Sequence, residues 1–342
     1  MALKNIIVIG ASAGGVTALR DVVRGLPPDF DASVFIVLHI SRDVPSLLAE
    51  ILQRETTLTV RQATDDAPIR PRHIYVAPPD HHLIVDVERM SLTRGPRENR
   101  ARPAVDVLFR SAANAHRRGV VGVVLTGALD DGTAGMWAVK FRGGTTVVQD
   151  PREAVCPSMP QSVLRYVSVD HVVSLSEVAP LLVRLASEPV TMSAEGALTS
   201  RPLDVEDQIA RGDRAFELSV LGLGPVSPYT CPECHGVLVQ IKEGGVPRFR
   251  CHTGHAYTLQ NLFAEVNEAV EVSLWNTLRT LDESVMLLDH LAQHARDQGV
   301  PADAVERFTR RAQDVLRMTE TLRQITQNPI LQNVESEDPP LG

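Results

Sequence analysis

The run Gly10-Ala11-Ser12-Ala13-Gly14 sets a hydroxyl between two glycines, directly after the apolar stretch 6–9 and at the head of a helical pattern. A serine in a G-x-S-x-G turn between strand and helix has the setting of a nucleophile. The backbone N–H groups at such a helix start, with Ala13 the nearest, can receive an oxyanion. Two other readings compete. The turn could be only a turn, and a glycine-rich loop could bind a dinucleotide. The dinucleotide fingerprint, however, needs glycine where Ser12 stands, and no Walker lysine follows.

A serine nucleophile needs a base and an acid to orient that base. His39 follows the next apolar run, 34–38, and Asp131 lies in Leu125-Thr126-Gly127-Ala128-Leu129-Asp130-Asp131-Gly132. Taken singly, His39 reads as a core-capping histidine and Asp131 as a turn residue. Taken together, Ser12, His39 and Asp131 each stand just past the carboxyl end of an expected parallel strand, where open α/β sheets build their sites. His39 would take the Ser12 proton and return it to the leaving group, while Asp131 would hold the imidazole tautomer. The chain order Ser, His, Asp differs from the Ser, Asp, His order of α/β-hydrolases.

A second group of reactive residues lies near the C-terminus. Cys231-Pro232-Glu233-Cys234 and Cys251-His252-Thr253-Gly254-His255 form two knuckles, with Gly244-Gly245 as the turn of a two-stranded ribbon between them. Four N/S donors suit a closed tetrahedral structural zinc site. Cys231, Cys234 and Cys251 supply three. His255 is preferred to His252 as the fourth, because Cys251 and His252 are adjacent and would crowd the metal. The alternative is a reduced, metal-free pair of turns, but so small a unit has little core of its own. No cofactor is expected for catalysis. Cys156 reads as a packed or incidental thiol.

The elements that must position these residues follow from the pattern of apolar runs. Strand-length runs occur at 6–9, 34–38, 74–77, 120–125, 145–148 and 172–175, and helical stretches at 17–26, 46–54, 105–118 and 133–142. The alternation predicts an α/β fold, an open, mostly parallel, doubly wound sheet with helices on both faces. A small hairpin is expected at 82–85 and 90–93. The expected domains are a catalytic domain over 1–187, a linker over 188–226 with a short helix at 204–211, a zinc-ribbon-like module over 227–258, a C-terminal helical hairpin or coiled coil over 259–330, and a disordered tail over 331–342. In the hairpin, Leu274, Leu278, Leu281, Val285, Leu288, Ala292 and Ala295 step by four and three, and Phe308, Ala312, Val315, Met318, Leu322 and Ile325 mark one side of a second helix. A two-helix hairpin buries little alone, so docking on a partner or self-association is expected.

The 342 residues carry a net charge of −8, which argues against nucleic acid as the main partner. The five arginines between 89 and 102 read as a solvated loop. No apolar run approaches the roughly 20 residues of a membrane helix, and no signal peptide is evident, so no membrane insertion and a cytoplasmic location are expected.

Residues 1–187 resemble the catalytic domain of chemotaxis-type protein-glutamate methylesterases. The runs that carry this are Ile9-Gly10-Ala11-Ser12-Ala13-Gly14-Gly15, Val37-Leu38-His39-Ile40, Ala77-Pro78-Pro79-Asp80-His81-His82, Pro103-Ala104-Val105-Asp106-Val107-Leu108-Phe109, Leu125-Thr126-Gly127 with Asp131-Gly132, and Ser158-Met159-Pro160. The resemblance implies hydrolysis of γ-glutamyl methyl esters on methylated chemoreceptor-like proteins, releasing methanol, with deamidation of receptor glutamines as a further reaction. It carries the nucleophile onto Ser12, the base onto His39 and the acid onto Asp131 rather than Asp130. It sets Met159 and His82 near the cleft, where packing and a surface loop are their plain readings. Two departures stand out. The first strand leads directly to Ser12 with no receiver domain before it, so a separate regulator is expected. Ala128-Leu129 also replaces the more usual Met-Gly shortly before the acid. Two other functions fit the same residues: a signalling scaffold built on a methylesterase domain, and a hydrolase of small esters or amides.

Overall fold

The computed structural model describes residues 5–40, 44–190, 200–212, 217 and 220–327. The chain forms two compact units, Met1–Leu262 and Phe263–Gly342. In chain order the first unit holds β1 (Ile6–Ala11), α1 (Gly15–Arg24), β2 (Ser33–Leu38), α2 (Leu48–Gln53), β3 (Thr59–Gln62), β4 (Ala67–Pro68), β5 (His73–Val76), β6 (His82–Val85), β7 (Arg89–Thr93) and α3 (Val105–His116). It continues with β8 (Val120–Val124), α4 (Thr133–Phe141), β9 (Thr145–Gln149), α5 (Ser158–Tyr166), β10 (His171–Val173), α6 (Leu175–Ser187) and α7 (Arg201–Ala210). The strands β11 (Val226–Thr230), β12 (Val237–Glu243), β13 (Val246–Cys251) and β14 (Ala256–Thr258) follow, then the helices α8 (Leu259–Asp297) and α9 (Ala302–Thr326).

Seven strands make one sheet in the order β10-β9-β8-β1-β2-β5-β3, and every pairing in it is parallel. β1, β2 and β8 are buried along their whole length, which explains their Val/Ile-rich composition. One face is covered by α1 and α6, whose Leu19, Val22, Val23, Leu182 and Leu185 pack on Ile7, Ile9 and Ile36. In α1 the buried positions Gly15, Ala18, Leu19, Val22 and Val23 recur at helical spacing. The other face carries α3, α4 and the β6–β7 hairpin, with Leu108, Phe109, Met136 and Leu83 against Val8 and Phe35.

Some elements differ from the sequence reading. The run 172–175 is not one strand: β10 ends at Val173 and Leu175 opens α6. Ser174 explains the break, since its N–H and hydroxyl both donate to Glu177 Oε2 and cap the helix start. The polar edge strand β3 and the helix α5 are additions. Glu98 and Asn99, inside the arginine-rich run read as a solvated loop, are buried. In the segment 188–226, α7 runs from Arg201, with Ser200 accepting from the Leu203 N–H at 3.2 Å. The Cys/His unit is a four-stranded antiparallel sheet, β11-β12-β13-β14, rather than a two-stranded ribbon. The tail 331–342 lies outside the described residues.

In the second unit α8 and α9 are joined across Gly299, which takes φ 69°. Ala292, Ala295, Val305 and Phe308 form its apolar contact, and Arg323 donates to Asp282 at 2.7 Å. The α9 seam repeats every seven residues through Val305, Ala312, Thr319 and Thr326. Met318 and Ile325, expected on that side, point outward instead. No helix among the described residues is long and apolar enough to cross a membrane.

Candidate active site

β8, β1 and β2 are neighbours in the parallel sheet, so the residues that follow them meet at one edge. Ser12 leaves β1 with its N–H on the Thr126 carbonyl at 3.0 Å, and His39 leaves β2 with its N–H on the Ala11 carbonyl at 3.3 Å. The His39 Nδ1 lies 3.2 Å from Ser12 Oγ and its Nε2 lies 2.8 Å from Asp131 Oδ2. With its hydrogen on Nε2, the neutral ring donates to Asp131 and can accept the Ser12 hydroxyl proton on Nδ1. The two ring nitrogens have exchanged the partners they hold in the serine-protease arrangement.

Asp131 is buried and heavily bonded. Its carboxylate accepts from the backbone N–H of Val105 at 2.7 Å, Asp106 at 3.2 Å and Gly132 at 3.0 Å, and from the Asn99 amide at 2.9 Å. The first two belong to the N–H groups of the α3 N-terminus that have no intrahelical partner, a setting that favours an anion. Burial alone would raise the pKa of this acid. The hydrogen bonds and charge of His39, with those from Asn99 and Val105, outweigh burial and hold it below the usual carboxylate range. Asp106, next to it, is pushed well above that range by burial and by the Asp131 charge. Two carboxyls so close and so dry favour a single negative charge, and Asp131 carries it.

The loop that holds Ser12 tolerates no extra atoms. A Cβ on Gly127 would come within 2.0 Å of the Met159 sulfur and 2.9 Å of Ser12 Cβ. Gly14 takes φ 77°, beside Val155. The Ala13 carbonyl accepts from Thr126 Oγ1 at 2.9 Å. Cys156 ties down the same loop through its backbone, accepting from Gly127 N at 2.9 Å and donating to Thr126 Oγ1 at 2.8 Å. Leu129 takes a left-handed φ of 61°, a conformation that costs a branched side chain more than glycine.

The structure therefore brings Ser12, His39 and Asp131 into one hydrogen-bonded chain, with Met159 and Ala13 beside Ser12. His82 is elsewhere. It is fully buried in β6, with Nε2 donating to the Pro96 carbonyl at 2.9 Å and Nδ1 accepting from Ala104 N at 3.3 Å. It is a satisfied core histidine, neither a cleft residue nor part of a surface loop, and burial lowers its pKa to about 4. Sequence reasoning gave no role to Asn99, Asp106 or Asp130. Asp106 lay within a quoted motif run, whereas nothing local to Glu98-Asn99-Arg100 signalled that Asn99 reaches the acid.

The Cys/His unit gathers its donors as well. Cys231 Sγ, Cys234 Sγ, Cys251 Sγ and a nitrogen of His255 all lie within 4.8 Å of one another, and His252 is outside this group. His255 Nδ1 is 3.6 Å from both Cys231 and Cys251 Sγ, and Cys234 and Cys251 Sγ are 3.6 Å apart. Tetrahedral sites with metal–sulfur arms of about 2.3 Å have sulfur–sulfur edges of about 3.7 Å, so the donor set fits zinc. His255 Nε2 meets Glu233 at 3.3 Å, the kind of outer carboxylate that orients a ligating imidazole. The hydrogen bond from Cys231 holds the Cys251 thiol far below its usual range.

The family model described as "CheB methylesterase" matches residues 7–182, just over half of the chain. The chain belongs to the CheB methylesterase family. A Leptospira interrogans relative is 38% identical over 180 residues, covering 52% of this chain and 93% of its own length. The protein-glutamate methylesterase/protein-glutamine glutaminase 2 of Xanthomonas oryzae pv. oryzae is 38% identical over 188 residues, 54% of this chain and 52% of the relative. That of Anaeromyxobacter dehalogenans is 37% identical over 174 residues, 51% of each chain. The chain thus spans about half the length of the last two relatives. The crystal structure of the Thermotoga maritima CheB methylesterase catalytic domain superposes with a TM-score of 0.51 at 34% identity, covering 53% of this chain and 98% of that domain. The four-stranded Cys/His unit lies outside the part of the chain matched by the CheB family model.

Proposed function

We propose that this CheB-family chain is a serine hydrolase that demethylates γ-glutamyl methyl esters on methylated chemoreceptor-like proteins, with deamidation of receptor glutamines as a second reaction. The observation that carries this reading is the hydrogen-bonded chain Ser12–His39–Asp131 at the sheet edge of a CheB domain. Ser12 Oγ attacks the ester carbonyl while His39 Nδ1 takes its proton. The developing oxyanion is received at the α1 N-terminus, with the Ala13 N–H as a donor. His39 then protonates the departing methoxide, methanol leaves, and a glutamyl ester on Ser12 remains. A water, deprotonated by the same nitrogen, hydrolyses it to the free glutamate. With glutamine the leaving group is ammonia. Asp131 keeps the Nε2 hydrogen in place and stabilises the imidazolium.

Cys231, Cys234, Cys251 and His255 are proposed to hold a structural zinc, which would cross-link the four-stranded unit and take no part in the ester chemistry.

The test is methanol release from a methylated receptor by wild type and Ser12→Ala. A loss of several orders of magnitude in kcat is expected. Equal release by both proteins would remove the assignment.

A further inference from the structure

The four-stranded unit reaches the catalytic acid through a continuous set of buried bonds. The strap 97–99 joins β14 as an extra edge: Ala256 N donates to the Arg97 carbonyl at 3.1 Å, and Asn99 N to the Ala256 carbonyl at 2.8 Å. Thr258 N donates to Asn99 Oδ1 at 3.0 Å, which fixes which way the Asn99 amide faces. Both hydrogens of that amide are then aimed inward, to Asp131 at 2.9 Å and to Asp106 at 2.7 Å. Asn99 adopts φ 50°, a left-handed conformation that asparagine tolerates better than most residues. A parallel route runs through the neighbouring acid. Thr258 Oγ1 donates to Asp130 Oδ1 at 2.6 Å, and the Asn261 amide donates to the same oxygen. Thr258 also accepts from Asn261 N at 3.2 Å, so one hydroxyl caps α8 and ties Asp130. Glu98 pins the strap from its other side, bonding Arg110 of α3 and Arg250 of β13, each at 2.8 Å.

From these contacts we propose that Asn99, Thr258 and Asn261 are positioning residues for catalysis: Asn99 completes the hydrogen-bond shell of Asp131, while Thr258 at the end of β14 and Asn261 in the first turn of α8 brace Asn99 and Asp130, and together they set the alignment of His39 on Ser12. Thr258 and Asn261 lie beyond residue 182, where the family model ends, so the groups that brace Asn99 and Asp130 come from outside the matched part of the chain. The proposal rests on the roles given above to Ser12, His39 and Asp131. Its chemistry follows from the bonding. An acid with one free oxygen edge can rock, and a base aimed by it then spends less time within reach of the serine. Misplacement on the scale of 1 Å lowers turnover by up to about a hundredfold.

The experiment compares full-length wild type with Asn99→Ala, Thr258→Val, Thr258→Ser and Asn261→Ala. Three readouts are taken: kcat and KM for methanol release, the thermal transition, and the low-field proton resonance of the His39–Asp131 bond in the resting protein. Asn99→Ala should lower kcat about tenfold to a hundredfold with KM unchanged, and should move the resonance upfield. Thr258→Val and Asn261→Ala, which release Asp130 but leave the Thr258 N–H on Asn99, should do the same to a smaller degree, and Thr258→Ser should restore wild-type values. Should Asn99→Ala fail to fold, the two milder variants decide by the same readouts. Folded variants with wild-type kcat and an unmoved resonance would overturn the proposal. Methanol release that persists in Ser12→Ala would instead overturn the hydrolase reading, while the resonance still reports on the shell of Asp131.

Discussion

The parallel sheet and the four-stranded unit both present reactive side chains, and they hold them by different means. The sheet buries an extensive apolar core on each face, and its site residues hang from strand ends whose register is set by backbone bonding. Among the described residues the smaller unit gathers a short apolar cluster, Cys231, Leu238, Phe249, Cys251 and Tyr257, against Leu262 of α8. It relies instead on its four clustered donors and on buried ion pairs with the larger part of the fold, Arg250 with Glu98 and Glu206, and Arg248 with Glu206. A large core makes a site robust to the loss of any one contact. A small unit concentrates its stability in a few residues.

That contrast breaks most sharply at the donor cluster. Cys251→Ser should remove about 10 kcal/mol of local folding energy, the scale of a structural zinc site. Elemental analysis should find one zinc per chain in wild type and none in the variant. Amides of β11–β14 should lose hydrogen-exchange protection while those of β1, β2 and β8 keep theirs. Wild type purified without chelator and free of zinc would refute this.

The ion pairs come next. Arg250 is fully buried between two glutamates and also donates to the Gly254 carbonyl at 2.7 Å. Arg250→Leu leaves buried negative charge short of a partner, at a cost of about 3–5 kcal/mol. Chemical denaturation should register that loss. Proteolysis should cut first within β11–β14, since the sheet core does not depend on Arg250.

The smallest effect belongs to the sheet side. His82 titrates near 4 in the fold, against the ordinary value of 6.5. As pH falls through that window the unfolded chain takes up the proton first, so stability is lost between pH 6.5 and 4 and the loss levels off below. The difference amounts to about 3 kcal/mol. His82→Gln should flatten the curve over this window, measured as urea midpoints against pH, and an unchanged slope would show that another group carries it.

The route from sequence to site was direct where chemistry is local. The glycines around Ser12, the strand before His39 and the glycine after Asp131 each announced a turn at a strand end, and the alternation of apolar runs put those ends on one edge. The heptad of α8 was equally plain. Reading failed where the partner was remote or the pattern short. β3 carries one buried residue in four and reads as loop. His82 follows the half-buried polar pair Asp80-His81, yet lies inside a fully buried strand. Thr319 and Thr326 displace Met318 and Ile325 from the α9 seam because a period of seven, rather than hydrophobicity, selects the inward face.

By itself the sequence determined the nature of the reactive groups: a hydroxyl, an imidazole and a carboxylate at the ends of parallel strands, and three thiols with an imidazole in two knuckles. Those follow from residue type and short spacing, which the chain cannot alter by folding. Only the tertiary structure decided which nitrogen of His39 faces Ser12 and which faces Asp131, and that Asn99 bridges Asp131 to Thr258. Those contacts join residues 27, 92 and 159 positions apart. Their geometry is set by packing among distant elements, and no local pattern encodes it.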